Sequence, residues 1–213
     1  MGQTVVEKII SNHAGKTVHQ EDMVVVPVDG AMASDTTAPL TIKAFKAMGG
    51  RKLWNPEKCT LVVDHAAPAP NERIANLHMM MREFSAKQGC RLFEAGEGIC
   101  HQLLIEKNII APGDLFVGAD SHTCSAGAVG ALGIGVGSTD LAAVWLTGKI
   151  WLKVPKTIRI ELLNRVHKGV QSKDLMLAVL GKTGIAGATY QAMEFCGEAV
   201  KAMSLSSRIV MAN

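Results

Sequence analysis

The sequence predicts an α/β fold, a mostly parallel sheet flanked by helices, followed by the start of a second α/β unit. Three observations carry that expectation. Short apolar runs, such as LVV at 61–63 and LFVG at 115–118, alternate with helix-length amphipathic stretches. The runs are apolar throughout instead of alternating, as strands covered on both faces must be. The strand–helix order also repeats, which is the connectivity that parallel neighbours require.

Along the chain, VVEKIISNHAG (5–15) places apolar residues at helical spacing and ends on Gly15, suited to a C-cap. DMVVVPVDGAMASD (22–35) reads as one strand ending in polar residues. TTAPLTIKAFKAMGG (36–50) reads as a helix with Pro39 in its first turn, where a missing N–H costs nothing, and glycines as its stop. CTLVVDHAAPAP (59–70) is a strand, a polar pair and a proline-rich turn. NERIANLHMMMREFSAKQ (71–88) is a long helix closed by Gly89. CRLFEAG (90–96) is a strand, ICHQLLIEKN (99–108) a short helix, and DLFVGA (114–119) a strand after the Pro112-Gly113 turn. Residues 138–152 read as a buried helix.

The pattern changes near 153–157, which divides the chain into a first α/β domain, 1–153, and an incomplete second one, 154–213. There TIRIELLNRV (157–166) alternates as a strand, SKDLMLAVLGKTG (172–184) reads as a helix, and GATYQAMEFCGEAV (187–200) returns to a strand-like run. SLSSRIVMAN (204–213) is capped by Ser204 or Ser206 and stops after about two turns. Such a helix looks cut, so the chain is expected to be part of a longer protein.

Bulk properties remove several functions. Of 213 residues, 48% are hydrophobic and 19% charged, and the net charge of +3 is scattered. No basic stripe with interleaved aromatics is present, so nucleic acid is not an expected partner. No apolar run approaches the roughly 20 residues of a membrane span, and the opening MGQTVVEKIISNHAGK has no signal-peptide core. A cytoplasmic protein without a membrane partner is expected. The five cysteines, Cys59, Cys90, Cys100, Cys124 and Cys196, are irregularly spaced with no CxxC, which argues against a disulfide framework or a self-contained cysteine-ligated metal centre.

The chemistry gathers at three strand ends. LVV runs into Asp64-His65, LFEAG leads through a turn to His101, and LFVGA runs into Asp120-Ser121-His122. Ligands of parallel α/β sheets bind beyond the carboxyl ends of the strands, so these groups can converge on one crevice. An aspartate beside a histidine fixes its tautomer and raises its pKa, leaving a proton donor near neutrality. Against this, a single Asp-His after a strand is commonly a cap or turn. His13, His19, His78 and His167 read as ordinary helix and loop residues. Gly127, Gly130, Gly133, Gly135 and Gly137 either let backbone approach an anionic ligand or allow close packing. GALGIGVG (130–137) has GxGxG spacing but no Rossmann layout around it.

TLVVDHAAP, GICHQLLIEKNIIAPGDLFVGADSHTCSAGAVGALGIGVGSTD and GATYQAMEFCGEAV together resemble the aconitase superfamily, in its branch of 3-isopropylmalate dehydratase and homoaconitase large subunits. The resemblance covers essentially the whole chain. It implies a hydro-lyase that isomerises a malate-type hydroxy acid by dehydration and rehydration. The substrate it implies is 3-isopropylmalate, of leucine biosynthesis, with homoaconitate and 2,3-dimethylmalate as rivals. It implies that Asp64 and His65 form the pair whose imidazole protonates the departing hydroxyl. It pairs His101 with Glu194. It gives Asp120, Ser121 and His122 contacts to the iron-bound hydroxyl and a substrate carboxylate, and makes Ser34 and Asp35 candidate substrate contacts. It also implies a [4Fe-4S] cluster with one open iron as Lewis acid. In relatives the three cluster cysteines lie beyond the position matching residue 213, so no metal ligand is expected here. A small subunit and the remainder of the large subunit are the implied partners. Two other classes stay open: a mononuclear metal hydrolase using His65, His101, His122 and Asp120, and a non-catalytic domain that only docks to a partner.

Overall fold

The computed structural model describes residues 2–213. The first unit opens with helix α1 (Val5–Ala14), strand β1 (Met23–Pro27), strand β2 (Gly30–Ser34) and helix α2 (Ala38–Ala47). Strand β3 (Cys59–Val62), helix α3 (Glu72–Gln88), strand β4 (Arg91–Phe93) and helix α4 (Cys100–Glu106) follow. Then come strand β5 (Leu115–Gly118), a 3₁₀ segment (Ser121–Val129), strand β6 (Leu132–Gly135), helix α5 (Ser138–Thr147) and strand β7 (Lys149–Lys153).

Five strands form one parallel sheet in the order β4-β3-β2-β5-β6. Alternate residues of its central strands feed two separate cores. Ala31, Ala33, Leu61, Val63, Leu115 and Val117 pack with Ile10, Phe45, Phe84 and Trp145 from α1, α2, α3 and α5. Met32, Val62 and Phe116 instead meet Leu103, Leu104 and Ala126 from α4 and the 3₁₀ segment. Both faces are therefore covered, and the polar residues of the central strands, Ser34 and Thr60, are themselves buried. Phe84 stacks on Trp145 at 5.4 Å, and Phe45 meets both rings edge-on.

Three local expectations need correction. The run 22–35 is two strands, because the chain turns at Val28-Asp29 and β1 leaves the main sheet to pair antiparallel with β7. Its alternating burial, against the fully buried β2, marks a strand with one open face. The helix expected over 138–152 stops at Thr147: Gly148 takes a left-handed φ of 66°, and Lys149–Lys153 becomes β7. The glycine run contains a strand, β6, at the sheet edge. There Gly133 and Gly135 are matters of packing, since a Cβ on either would strike the backbone carbonyl of Thr123 or Asp120.

Beyond residue 153, strands β8 (Lys156–Glu161) and β9 (Gln191–Cys196) pair in parallel across helix α6 (Ser172–Thr183). Helices α7 (Glu198–Ala202) and α8 (Leu205–Ala212) end the described chain, with Ser204 capping α8. Helix α8 lies against the 3₁₀ segment, and Asn213 donates to Ser125 Oγ at 3.1 Å. No helix among the described residues is long and apolar enough to cross a membrane.

Aspartates sit at both ends of the main sheet. At the amino end Asp29 accepts the Leu115 N–H at 2.9 Å and meets His13 Nε2, while His13 Nδ1 faces the Ile9 carbonyl at 2.8 Å. The carboxyl end holds three more.

Candidate active site

The carboxyl ends of β2, β3 and β5 lie side by side, so the residues after them share one rim. Asp64, two residues past β3, points its carboxylate both ways: Oδ1 lies 2.7 Å from His65 Nδ1, and Oδ2 accepts the Cys100 N–H at 2.6 Å. That second bond ties the rim to the start of α4, which lacks a side-chain cap of its own. As the second residue of that helix, His101 sets Nε2 2.8 Å from Asp120 Oδ1.

Asp120 is the hub. As N-cap of the 3₁₀ segment it accepts the His122 N–H at 2.8 Å through the same Oδ1. His122 Nδ1 stands 3.3 Å from Oδ1, and His65 Nε2 stands 3.4 Å from Oδ2. One carboxylate, 9% exposed, thus faces three imidazoles. Burial pushes its pKa up, but the His122 amide, the His101 bond and the attraction of His101 and His122 more than offset this and hold it below the ordinary range. For His65, burial disfavours the charged form; the Asp64 bond and the charges of Asp64, Asp120 and Asp35 outweigh it and raise the pKa. With a carboxylate at each ring nitrogen, His65 is built to carry a proton. The carboxylates lie beneath, while the His65 and His122 side chains stay 37% and 55% exposed and face outward. Ser121, exposed beside them, holds Oγ 3.4 Å from His122 Nδ1.

The structure gathers Asp64, His65, His101, Asp120, Ser121 and His122 at this rim and leaves the other candidates apart from it. Ser34 is fully buried and bonds Thr36 Oγ1 at 2.8 Å. Asp35 is likewise below the surface, spending its oxygens on the His65 and Ala66 N–H groups. Glu194 does not pair with His101. It lies on β9 and accepts the Val5 N–H at 3.0 Å, leaving His101 to Asp120. It lines a cavity of about 1130 Å³ between β6, β7 and β9, together with Cys124 and Arg208. His78, read as an ordinary helix residue, is buried with Nε2 3.3 Å from Asp35 Oδ2. Its signal was present: 78, 81 and 85 form the buried stripe of α3.

The cysteines do not make a cluster cradle. Cys59, Cys90 and Cys100 are buried separately from exposed Cys124 and half-buried Cys196. Among the described residues the ligand-type groups that converge are Asp64, His65 and Cys100, and His101, Asp120 and His122, so no three thiols meet. Burial also pushes the Cys59, Cys90 and Cys100 thiols up, away from the thiolate that binds iron.

A parallel sheet with an aspartate-and-histidine rim defines a class, and the comparison of sequences gives that class its family. Residues 7–213 match the aconitase family (aconitate hydratase), and the chain belongs to it. Among curated relatives, the 3-isopropylmalate dehydratase large subunit 1 of Methanopyrus kandleri is 46% identical over 214 residues, covering 100% of this chain and 51% of the relative. The 3-isopropylmalate dehydratase large subunit of Elusimicrobium minutum is 46% identical over 213 residues, with the same coverage. That of Thermotoga maritima, numbered 1, is 44% identical over 213 residues, covering 100% and 50%. The chain spans about half the length of the curated relatives it matches.

Proposed function

We propose that this chain supplies the acid–base half of a dehydratase large subunit acting on a malate-type hydroxy acid, with 3-isopropylmalate the preferred substrate. The observation that carries the reading is the rim itself, in which Asp64 and Asp120 bracket His65 while Asp120 also holds His101 and His122. His65 gives its proton to the departing hydroxyl, which leaves as water. The proton from the neighbouring carbon goes to a base on the other half. His122 and Ser121, both exposed, take a substrate carboxylate; Asp120 keeps the imidazoles oriented and the local charge balanced. We assign 1–153 to a first domain and 154–213 to an incomplete second one, working in the cytoplasm.

The [4Fe-4S] cluster that relatives imply would be held by thiolates this chain does not bring together, so the cluster belongs with the other half. A partner there has a place to bind. β6 ends the main sheet with a free edge, β8–β9 is only two strands wide, and the cavity of about 1130 Å³ opens between them. Sheets of that kind call for further strands or a cover. A small subunit completes the proposed assembly.

The test is anaerobic reconstitution with iron and sulfide, of this chain alone and of this chain with the second half of the Methanopyrus kandleri large subunit and its small subunit. The reading expects no cluster on the chain alone, and both a cluster and 3-isopropylmalate turnover in the mixture. Iron bound alone without sulfide, and lost on His122→Ala, would favour a mononuclear site on His101, Asp120 and His122, whose ligand atoms lie within 4.8 Å of one another. A full cluster on the chain alone would refute the placement of its ligands.

A further inference from the structure

Asp35 follows β2 directly, and its side chain is 1% exposed, so a substrate cannot reach it. Its carboxylate is committed to the neighbouring turn. Oδ1 accepts the His65 N–H at 3.0 Å, and Oδ2 accepts the Ala66 N–H at 2.8 Å. His78, in the second turn of α3, brings Nε2 to 3.3 Å from Oδ2 and is 4% exposed. The end of β2, the turn after β3 and a helix interior therefore meet on one carboxylate.

The turn needs such an anchor. Between β3 and α3 the chain runs without regular structure through Pro68 and Pro70, so the His65 and Ala66 N–H groups have no ladder partner. Two N–H groups held by one carboxylate fix the backbone at residue 65, and with it the direction of the His65 side chain. A carboxylate that only accepted from mobile amides could itself rotate. A third donor from a rigid helix prevents that rotation.

We propose that Asp35 and His78 are a positioning pair, which holds the His65 ring between Asp64 and Asp120, with His78 acting through Asp35. Neither residue touches substrate. The inference rests on His65 being the proton donor of the proposed reaction, but the pair's hold on that ring is measurable without turnover. Around the ring stand Asp64 at 2.7 Å, Asp120 at 3.4 Å and Asp35 at 3.8 Å, with His122 beyond Asp120.

The experiment is an NMR titration of the His65 imidazole, with hydrogen exchange of the His65 and Ala66 amides, in the 213-residue chain and three variants. His78→Leu removes the third donor. It should speed exchange of both amides about tenfold relative to the amide of Leu61, the loss expected of one hydrogen bond to a charged group. The His65 titration should also move toward the ordinary value of about 6.5. His78→Gln keeps a donor and should restore both readouts. Asp35→Asn, isosteric and independent of the helix, should lower the His65 pKa, because a carboxylate close to the ring is lost. A merely structural bolt predicts something else: a lower melting temperature in His78→Leu, with His65 titration and amide protection unchanged. That result would overturn the proposal, as would Gln behaving like Leu. If His78→Leu does not fold, an unchanged His65 titration in Asp35→Asn overturns it equally.

Discussion

The main sheet carries aspartate–histidine pairs at both ends, and they are put to different uses. At the amino end, both nitrogens of His13 face acceptors, Ile9 O and Asp29, and its side chain is 8% exposed. Nothing is left over to meet a ligand. Asp29 there accepts from Leu115 and so joins the starts of β2 and β5. At the carboxyl end, Asp120 serves three imidazoles, two of which remain open to solvent. The same residue types thus make a closed tie in one place and an open cluster in the other. The difference lies in whether a ring nitrogen or ring face is left for something outside the protein.

The largest expected effect tests the open end. In the completed enzyme, His65→Ala should lower kcat by about 10²–10⁴-fold, the range for losing a positioned acid–base group, with little change in melting temperature. Near-normal turnover would remove the carboxyl-end cluster from the chemistry and erase the contrast. The closed end should behave in the opposite way. His13→Ala removes one partner of Asp29 and should cost about 1 kcal/mol in urea unfolding, while turnover stays near that of the parent. A loss of turnover without a loss of stability would mean the amino end is not structural.

Acid and alkali should separate the ends further. Asp29, Asp35 and Asp120 all have carboxyl pKa values held below the ordinary range, despite burial that raises them, by His13 for the first, the Ala66 and His65 amides for the second, and the His122 amide for the third. Groups depressed on folding stabilise above their unfolded pKa and cease to do so as pH falls through the folded one. Stability should therefore fall below about pH 4, with contributions from both ends. The carboxyl end also has a limb on the other side. The raised pKa of His65 contributes stability that is complete below its unfolded value of about 6.5 and vanishes as pH rises through the folded value. Because the ring is more than a third exposed, solvent keeps that limb small. Asp120→Asn should flatten it in thermal melts taken across pH 6–9. The smallest effect is expected at exposed His167, where Ala should change stability by less than about 0.5 kcal/mol and leave turnover alone.

Much of this was legible in the residues. Asp64-His65 and Asp120-Ser121-His122 announce themselves because each follows an apolar strand directly, and strand order then does the converging. Asp35 and His78 were harder, since one lies 43 residues from the other and only the fold brings them together. Glu194 carried no local sign of where its carboxylate would go. The β1–β7 pairing was the main architectural loss: the apolar run at 23–27 pairs with KIWLK at 149–153, and nothing local says that they meet. The αL stop at Gly148 and the alternation of KIWLK were the available hints.

That pairing has a consequence for how the chain is made. On a ribosome adding 5–20 residues per second, β1 emerges roughly ten seconds before its partner β7. During that interval MVVVP is an unaccompanied apolar ribbon, and Met23 and Val25 remain 61% and 67% exposed even after β7 arrives. Biogenesis therefore places a demand on this segment, far from any chemistry. Slowing synthesis downstream of residue 27, or withdrawing the chaperones that shield nascent strands, should reduce soluble yield well before it affects any property of the finished molecule.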